Sequence, residues 1–156
     1  MYKVGFSGTQ KGMTLGQQLM FDAIVIELNS IGMTEFHHGD CIGSDKEAHD
    51  AIVLLSKHFG RPIKTIIHPP KKKIKRAFCD SDESRKPLSY LDRNQAIANE
   101  IDMLVATPQE SEEVNRSGTW ATIRRTRKQE KPVLIINPDG SLDGDSIETI
   151  IEKQRS

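Results

Sequence analysis

The chain has little that would tie it to a secreted, membrane or nucleic-acid setting. Its 156 residues hold only two cysteines, Cys41 and Cys79, too few for the disulfide framework of a small secreted protein. No apolar run approaches the roughly 20 residues that span a bilayer, and the chain opens on a strand pattern rather than a signal peptide. An excess of one charge is also missing: 22 Lys and Arg offset 22 Asp and Glu, so overall charge argues for neither a nucleic-acid nor a membrane partner. Aromatics are 5% of the residues, which leaves few platforms for stacking a single nucleic-acid strand. These absences predict a cytoplasmic protein in a reducing compartment, with electrostatic recognition confined to a local site. The length suits one domain, residues 1–156, able to bury a core without disulfides or metals.

What is present is an alternation of strand and helix. Residues 2–7 read as a short strand that breaks at Ser7-Gly8-Thr9-Gln10-Lys11-Gly12. Over residues 14–31, Leu15, Leu19, Ala23, Ile26 and Leu28 recur at helical spacing behind Thr14 as cap. A second strand, residues 35–39, runs into Asp40-Cys41-Ile42-Gly43-Ser44-Asp45, and residues 46–58 form a helix with Ala48, Ile52, Leu54 and Leu55 on its apolar stripe. Residues 63–68 are β-branched and mostly apolar, as a buried parallel strand is. Residues 69–89 lose periodicity, carry a basic run and then an acidic one, and read as a long mobile loop, a lid or a partner-binding segment. The basic run, residues 71–76, reads as a solvated face because no aromatics interleave it. A helix opening at Tyr90 feeds a strand at 103–106, an acidic loop at 109–115, a helix at 119–128, a strand at 132–136 and a tail helix at 146–153. Five strand–helix units predict an α/β architecture: a Rossmann-like, doubly wound, five-stranded parallel sheet with right-handed crossovers and strand order 3-2-1-4-5.

Ligands of such sheets bind outside the carboxyl ends of the strands, where strand order reverses. Here that point lies between strands one and four, and it gathers the loops that start at Ser7, Gly39 and Thr107. Each loop ends at a helix N-terminus, so three positive dipole ends are expected to meet, and an anionic ligand follows. In Asn115-Arg116-Ser117-Gly118-Thr119-Trp120-Ala121-Thr122, Ser117 and Thr119 are caps, Gly118 lets a ligand approach the backbone, and Arg116 adds fixed charge. The glycine spacing after the first strand matches neither the dinucleotide fingerprint nor a Walker A loop. His37, His38, Asp40 and Cys41 invite a metal reading, but adjacent strand residues point to opposite faces, so no metal is expected. One histidine is expected in the core and one at the cleft rim.

Six segments in order resemble the SLOG superfamily, which includes LOG phosphoribohydrolases and DprA-like DNA-processing proteins. They are Gly5-Phe6-Ser7-Gly8-Thr9 with Met13-Thr14, the stretch from His38 through Asp45, His68-Pro69-Pro70, Tyr90 with Arg93-Asn94, Ala106-Thr107-Pro108, and Arg116 through Thr122. The resemblance covers nearly the whole chain. It implies a Rossmann-like domain that binds a nucleotide or an ADP-ribose-like derivative, without a cofactor, and that pairs as a homodimer. Candidate ligand contacts are Ser7, Gly8, Thr9, Gly39, Asp40, Gly43, Ser44, Asp45, Tyr90, Arg93, Asn94, Arg116, Ser117, Gly118 and Thr119. The LOG pattern P-G-G-x-G-T-x-x-E is departed from: Arg116-Ser117 precede Gly118-Thr119, and Thr122 stands where the glutamate belongs. That departure favours a sensor or sequestering protein. The alternative is hydrolysis of a nucleoside 5'-monophosphate at its N-glycosidic bond, with Asp40, Asp45 or Asp92 as carboxylate and Arg93, Asn94 or His38 as donor. Single-stranded DNA binding through residues 71–76, Arg124, Arg125, Arg127 and Lys128 ranks third, since basic residues also suit a helix C-terminus.

Overall fold

Burial on both faces is what a central parallel strand demands, and β1 (Tyr2–Gly8) meets it with Val4 and Phe6 on one side and Gly5 against Ile101 on the other. A computed structural model of the chain describes residues 2–155. The order continues through α1 (Leu15–Ser30), β2 (Met33–His38), α2 (Ser44–Ser56), β3 (Lys64–Ile67), β4 (Glu83–Ser84) and α3 (Tyr90–Glu100). It ends with β5 (Met103–Thr107), α4 (Gly118–Lys128), β6 (Val133–Ile136), β7 (Leu142–Gly144) and α5 (Ile147–Arg155). The sheet order is β4-β3-β2-β1-β5-β6-β7, parallel throughout except for the antiparallel pair β6–β7.

The expected 3-2-1-4-5 order is therefore present as β3-β2-β1-β5-β6, and the count of five is corrected to seven by one short strand at each edge. Both additions pair through backbone and lack an apolar run: β4 lies in the acidic segment beside β3, and β7 closes a hairpin after Asn137-Pro138-Asp139-Gly140.

Alternation along the strands divides the core into two layers. Val4, Phe6, Phe36, Met103, Val105 and Leu134 meet α1, α2 and α5 on one face, whereas Leu104, Ala106, Val133 and Ile135 meet α3 and α4 on the other. Phe6, Phe21 and Phe36 close the first layer, with centroids 5.3, 5.9 and 6.0 Å apart. Edge-to-face pairs of this kind add about 0.5–1.5 kcal/mol beyond area burial.

Helix α1 presents a different face from the one expected. Leu15, Leu19, Ala23 and Ile26 point to solvent, and Phe21, Ile24, Val25 and Leu28 enter the core. Gln17 shares the buried face because its amide donates to the carbonyls of Pro108 and Ile136, at 2.9 and 3.0 Å. Thr14 and Gln17 form a reciprocal capping box at the helix start.

The segment at 69–89 is also different from expectation: it is a strap tied down along its length. Lys71 N–H donates to Leu88 O, Ile42 N–H to Lys75 O, and Ala77 N–H to Asp40 O. Asp40 is fully buried, and its carboxylate accepts from Arg76 Nε at 2.7 Å and from Cys79 N–H at 2.8 Å. The Arg76 guanidinium in turn covers the Phe78 ring at 4.4 Å.

Removing one partner of a buried ion pair leaves an uncompensated charge, which costs about 3–5 kcal/mol. Arg76→Ala is accordingly expected to lower the urea unfolding free energy by about 3 kcal/mol and to open the lysines at 71–75 to limited trypsin cleavage. Unchanged stability together with an unchanged digestion pattern would contradict this anchoring.

Candidate functional site

Strands β1 and β5 stay paired to their carboxyl ends, Gly8 opposite Thr107, and the helices that follow them pack on opposite faces of the sheet; a cleft of about 1250 Å³ opens above this reversal point. Thr9 fixes the first loop at the floor of this cleft. Its N–H donates to Thr107 O at 3.2 Å, and its carbonyl accepts from Ser44 N–H at 3.1 Å and Ser44 Oγ at 2.7 Å. Ser7, Gly8, Thr9, Asp45, Tyr90, Arg93, Asn94, Arg116, Ser117, Gly118 and Thr119 line the cleft.

Gly39, Asp40, Gly43, Ser44 and Asp92 do not line it. Gly43 has φ of 85°, and a β-carbon there would collide with the Gln10 carbonyl. A β-carbon on Gly39 would collide with the Arg93 guanidinium. Asp40 is committed to the strap, Ser44 to the Thr9 carbonyl, and Asp92 is a solvent-exposed acid in the first turn of α3. The histidines are corrected too: both His37 and His38 are buried, and neither reaches the cleft rim.

Arg93 joins the pieces. It projects from α3, is almost wholly buried, and donates from Nη1 to the carbonyls of Gly39 and His68 and from Nε to Asn94 Oδ1. Its guanidinium also lies against Cys41 Sγ and, at 5.5 Å, over the Tyr90 ring.

Three helix N-termini face the cleft, as expected, but they are those of α2, α3 and α4. The α1 terminus is turned away: the N–H before it, on Met13, donates to Glu47, and Thr14 Oγ1 donates to Pro138 O. At α4 the first intrahelical bond runs from Ala121 N–H to Ser117 O, and Ser117 Oγ accepts from Trp120 N–H. The Gly118 and Thr119 N–H groups precede that bond, as the orphan donors of a helix start do. A β-carbon on Gly118 would meet nothing within 4 Å, so the fold itself does not require glycine there.

The lining is strongly cationic although the chain is neutral. Lys11, Lys75, Arg93, Arg116, Arg124 and Arg125 stand against Asp45 and Glu110. Arg124 pairs with Glu113 and Arg93 is spent on carbonyls, but Lys11, Lys75, Arg116 and Arg125 form no ion pair among the described residues. Lys11 and Glu110 were not singled out in the sequence, and Lys75 was read only as part of the solvated basic run 71–76, since each sits on irregular loop whose position only the fold defines. Apolar surface shares the mouth, from Ile42, Leu91 and Val114, all exposed.

Two carboxylates bring unpaired oxygens to this place. Asp45 is 5% exposed; its Oδ2 accepts from Cys41 N–H at 3.2 Å, while Oδ1 is buried without a partner. Burial lifts its pKa to about 6 against the opposing pull of Arg93. Glu110 likewise keeps a buried, unpartnered Oε1. Thr122 is buried within α4, donating to Gly118 O, and Trp120 belongs to the core under this helix.

Among the described residues no helix is long and apolar enough to cross a membrane. No family model matches the chain, and no curated protein matches it. A solved structure does: the molybdenum cofactor binding protein from the phototrophic bacterium Rippkaea orientalis, at 15% identity and a TM-score of 0.59, over 97% of this chain and 82% of that one. At that identity the likeness speaks for the Rossmann-like α/β fold.

A carboxyl whose folded pKa is raised binds its proton more tightly in the folded than in the unfolded chain, so stability is lost as pH rises towards the folded value. Asp45 is expected to withdraw about 3 kcal/mol between pH about 4 and about 6. Asp45→Asn should flatten that part of the pH profile of urea midpoints and leave the variant the more stable protein at pH 7. Superimposable profiles would contradict the burial argument.

Proposed function

We propose that the chain is a SLOG-type domain that binds a nucleotide or an ADP-ribose-like derivative in the cleft, as a sensor or sequestering protein. The observation that carries this reading is the group of four cations, without ion pairs among the described residues, that line the same cleft as the N-terminus of α4 in a protein with no net charge. Phosphate suits the Gly118 and Thr119 N–H groups with Arg116 beside them. Asp45 Oδ1 is an acceptor for a sugar hydroxyl, and Tyr90 with Leu91, Ile42 and Val114 offers an apolar seat for a base. A fold neighbour described as binding a molybdenum cofactor is consistent with a small-molecule ligand in such a cleft.

Hydrolysis of the N-glycosidic bond is the second reading, and one observation favours it. Asp45 and Glu110 carry unpaired carboxylate oxygens in the same cleft, and a carboxyl that titrates near pH 6 is suited to proton transfer. Of the carboxylates expected from the sequence, Asp45 lines the cleft and Asp40 and Asp92 stand off it, while Glu110 joins Asp45 there. Thr122, at the position of the LOG glutamate, points into the helix rather than to a substrate.

The readings separate in one experiment, incubation with nucleoside monophosphates, NAD and cyclic ADP-ribose isomers, following free base and retained ligand by chromatography. Intact ligand recovered stoichiometrically after denaturation supports a binder; base release abolished by Asp45→Asn or Glu110→Gln supports the hydrolase and rejects a pure binder. Gly118→Ala is expected to leave stability within about 1 kcal/mol and to weaken retention about 10–100-fold, the cost of a hydrogen bond to a charged group that is lost when the added methyl holds the ligand off the backbone. Undiminished retention in both Gly118→Ala and Arg116→Ala would move the ligand away from α4.

A further inference from the structure

Five histidines occur in the chain, and four of them form two buried pairs on opposite faces of the sheet. One pair is complete. Asp40 N–H donates to His38 Nδ1 at 3.0 Å, which places the His38 proton on Nε2; that proton goes to His49 Nδ1 at 2.9 Å, and His49 Nε2–H goes to Asp80 O at 2.9 Å. Cys79 lies close enough to complete a ligand set with this pair, but every ring nitrogen already has a proton donor or acceptor.

The other pair is one positive charge short. His37 Nδ1 and His68 Nε2 face each other at 2.9 Å, and both rings are within 2% of full burial. Each ring also has a carboxylate behind it: Glu35 Oε1 lies 2.8 Å from His37 Nε2, and Glu100 Oε2 lies 3.6 Å from His68 Nδ1. Satisfying both carboxylates and the contact between the rings takes three N–H protons, whereas two neutral imidazoles carry two. The deficit is visible at His68 Nδ1, a buried nitrogen with no hydrogen-bond partner beside a carboxylate oxygen. The ion-pair network here has the same sign of imbalance. Lys64 and Arg85 are set against Glu35, Glu83 and Glu100, while Arg93 on the far side of His68 is matched by Asp45.

We propose that His37, His68 and Glu100 bind one zinc-type divalent cation, independently of the cleft. One ligand atom each from His37, His68 and Glu100 lies within 4.8 Å of the others, and two histidines with one carboxylate are a known zinc donor set. Glu100, whose oxygens accept from Arg85 Nε and Nη2 at 2.9–3.2 Å, would exchange that contact for the ion. Two nitrogens on a tetrahedral zinc lie about 3.3 Å apart for bonds of about 2.0–2.1 Å, against 2.9 Å between His37 Nδ1 and His68 Nε2, and Glu100, now beside the other nitrogen of His68, reaches the same ion by a swing of its partly exposed side chain. Glu35 behind His37 is the outer carboxylate that orients a ligating imidazole. The ligands come from β2, the end of β3 and the end of α3, so the ion would pin the same elements that Arg93 joins through the His68 carbonyl.

The test uses the full chain without an affinity tag, stripped with chelator and titrated with Zn²⁺ by calorimetry and with Co²⁺ by visible absorption. One equivalent of Zn²⁺ is expected, with a melting temperature raised by about 5–10 °C at a hundredfold excess over Kd, and tetrahedral cobalt bands in the visible. His68→Gln and Glu100→Gln should each abolish stoichiometric uptake, and Cys79→Ser should keep it. Glu100 is partly exposed, so its variant carries the test if His68→Gln fails to fold. Absence of uptake of either ion by the wild type would overturn the proposal. So would uptake of undiminished affinity in Glu100→Gln, or uptake lost only in Cys79→Ser, which would assign the ion to His38 and His49.

Discussion

The guanidinium of Arg93 is the contact on which the cleft depends. A buried cation requires compensation, and here much of it comes from backbone: the carbonyls of Gly39 and His68 turn towards one side chain of α3, with Asp45 close by. That single group fixes the turn after β2, the end of β3 and the start of α3 relative to one another. Its demands explain local sequence choices. Gly39 is glycine because the guanidinium occupies the space of a β-carbon, and Asp45 is held at its Oδ2 by the turn that Arg93 anchors.

Charge then separates scaffold from ligand site. Asp40 and Arg76 cancel where the strap is anchored, and Arg85 ties Glu83 to Glu100 at the sheet edge, so these groups contribute rigidity. Lys11, Lys75, Arg116 and Arg125 are left over and line the cleft above the carboxyl ends of β1 and β5. Overall neutrality therefore conceals a local positive field of the kind that attracts a phosphate-bearing molecule, and the apolar rim beside it suits the remainder of a nucleotide.

The long elements were legible in the sequence because their periodicity is sustained, and the reversal between β1 and β5 followed from their order. The edge strands were not: β4 is two residues of an acidic segment with no apolar side chain, joined to β3 by backbone pairing and the Lys64–Glu83 ion pair. Helix α1 carries two apolar stripes, one through Leu15 and Leu19 and one through Phe21 and Leu28, and nothing local says which meets the sheet. At the site, Ser117, Gly118 and Thr119 stood out because a capped helix start is a local feature. The turn Gly39 to Ser44 was recognisable as special backbone, but its service to Arg93 and Thr9, rather than to a ligand, depends on residues more than thirty positions away. Lys75 was visible only as part of a basic run that reads as a solvated face, and Glu110 only as part of an acidic loop; nothing local says that either reaches the cleft.

The most direct test of the ligand site is a titration of the isotopically labelled protein with adenosine monophosphate, following backbone amide resonances. The largest shifts are expected at Gly8, Thr9, Gly118 and Thr119, with the Arg93 side-chain signals nearly unmoved because its donors are already engaged. Shifts confined to other surfaces, or a spectrum indifferent to the nucleotide and to ADP-ribose alike, would contradict the assignment of the cleft.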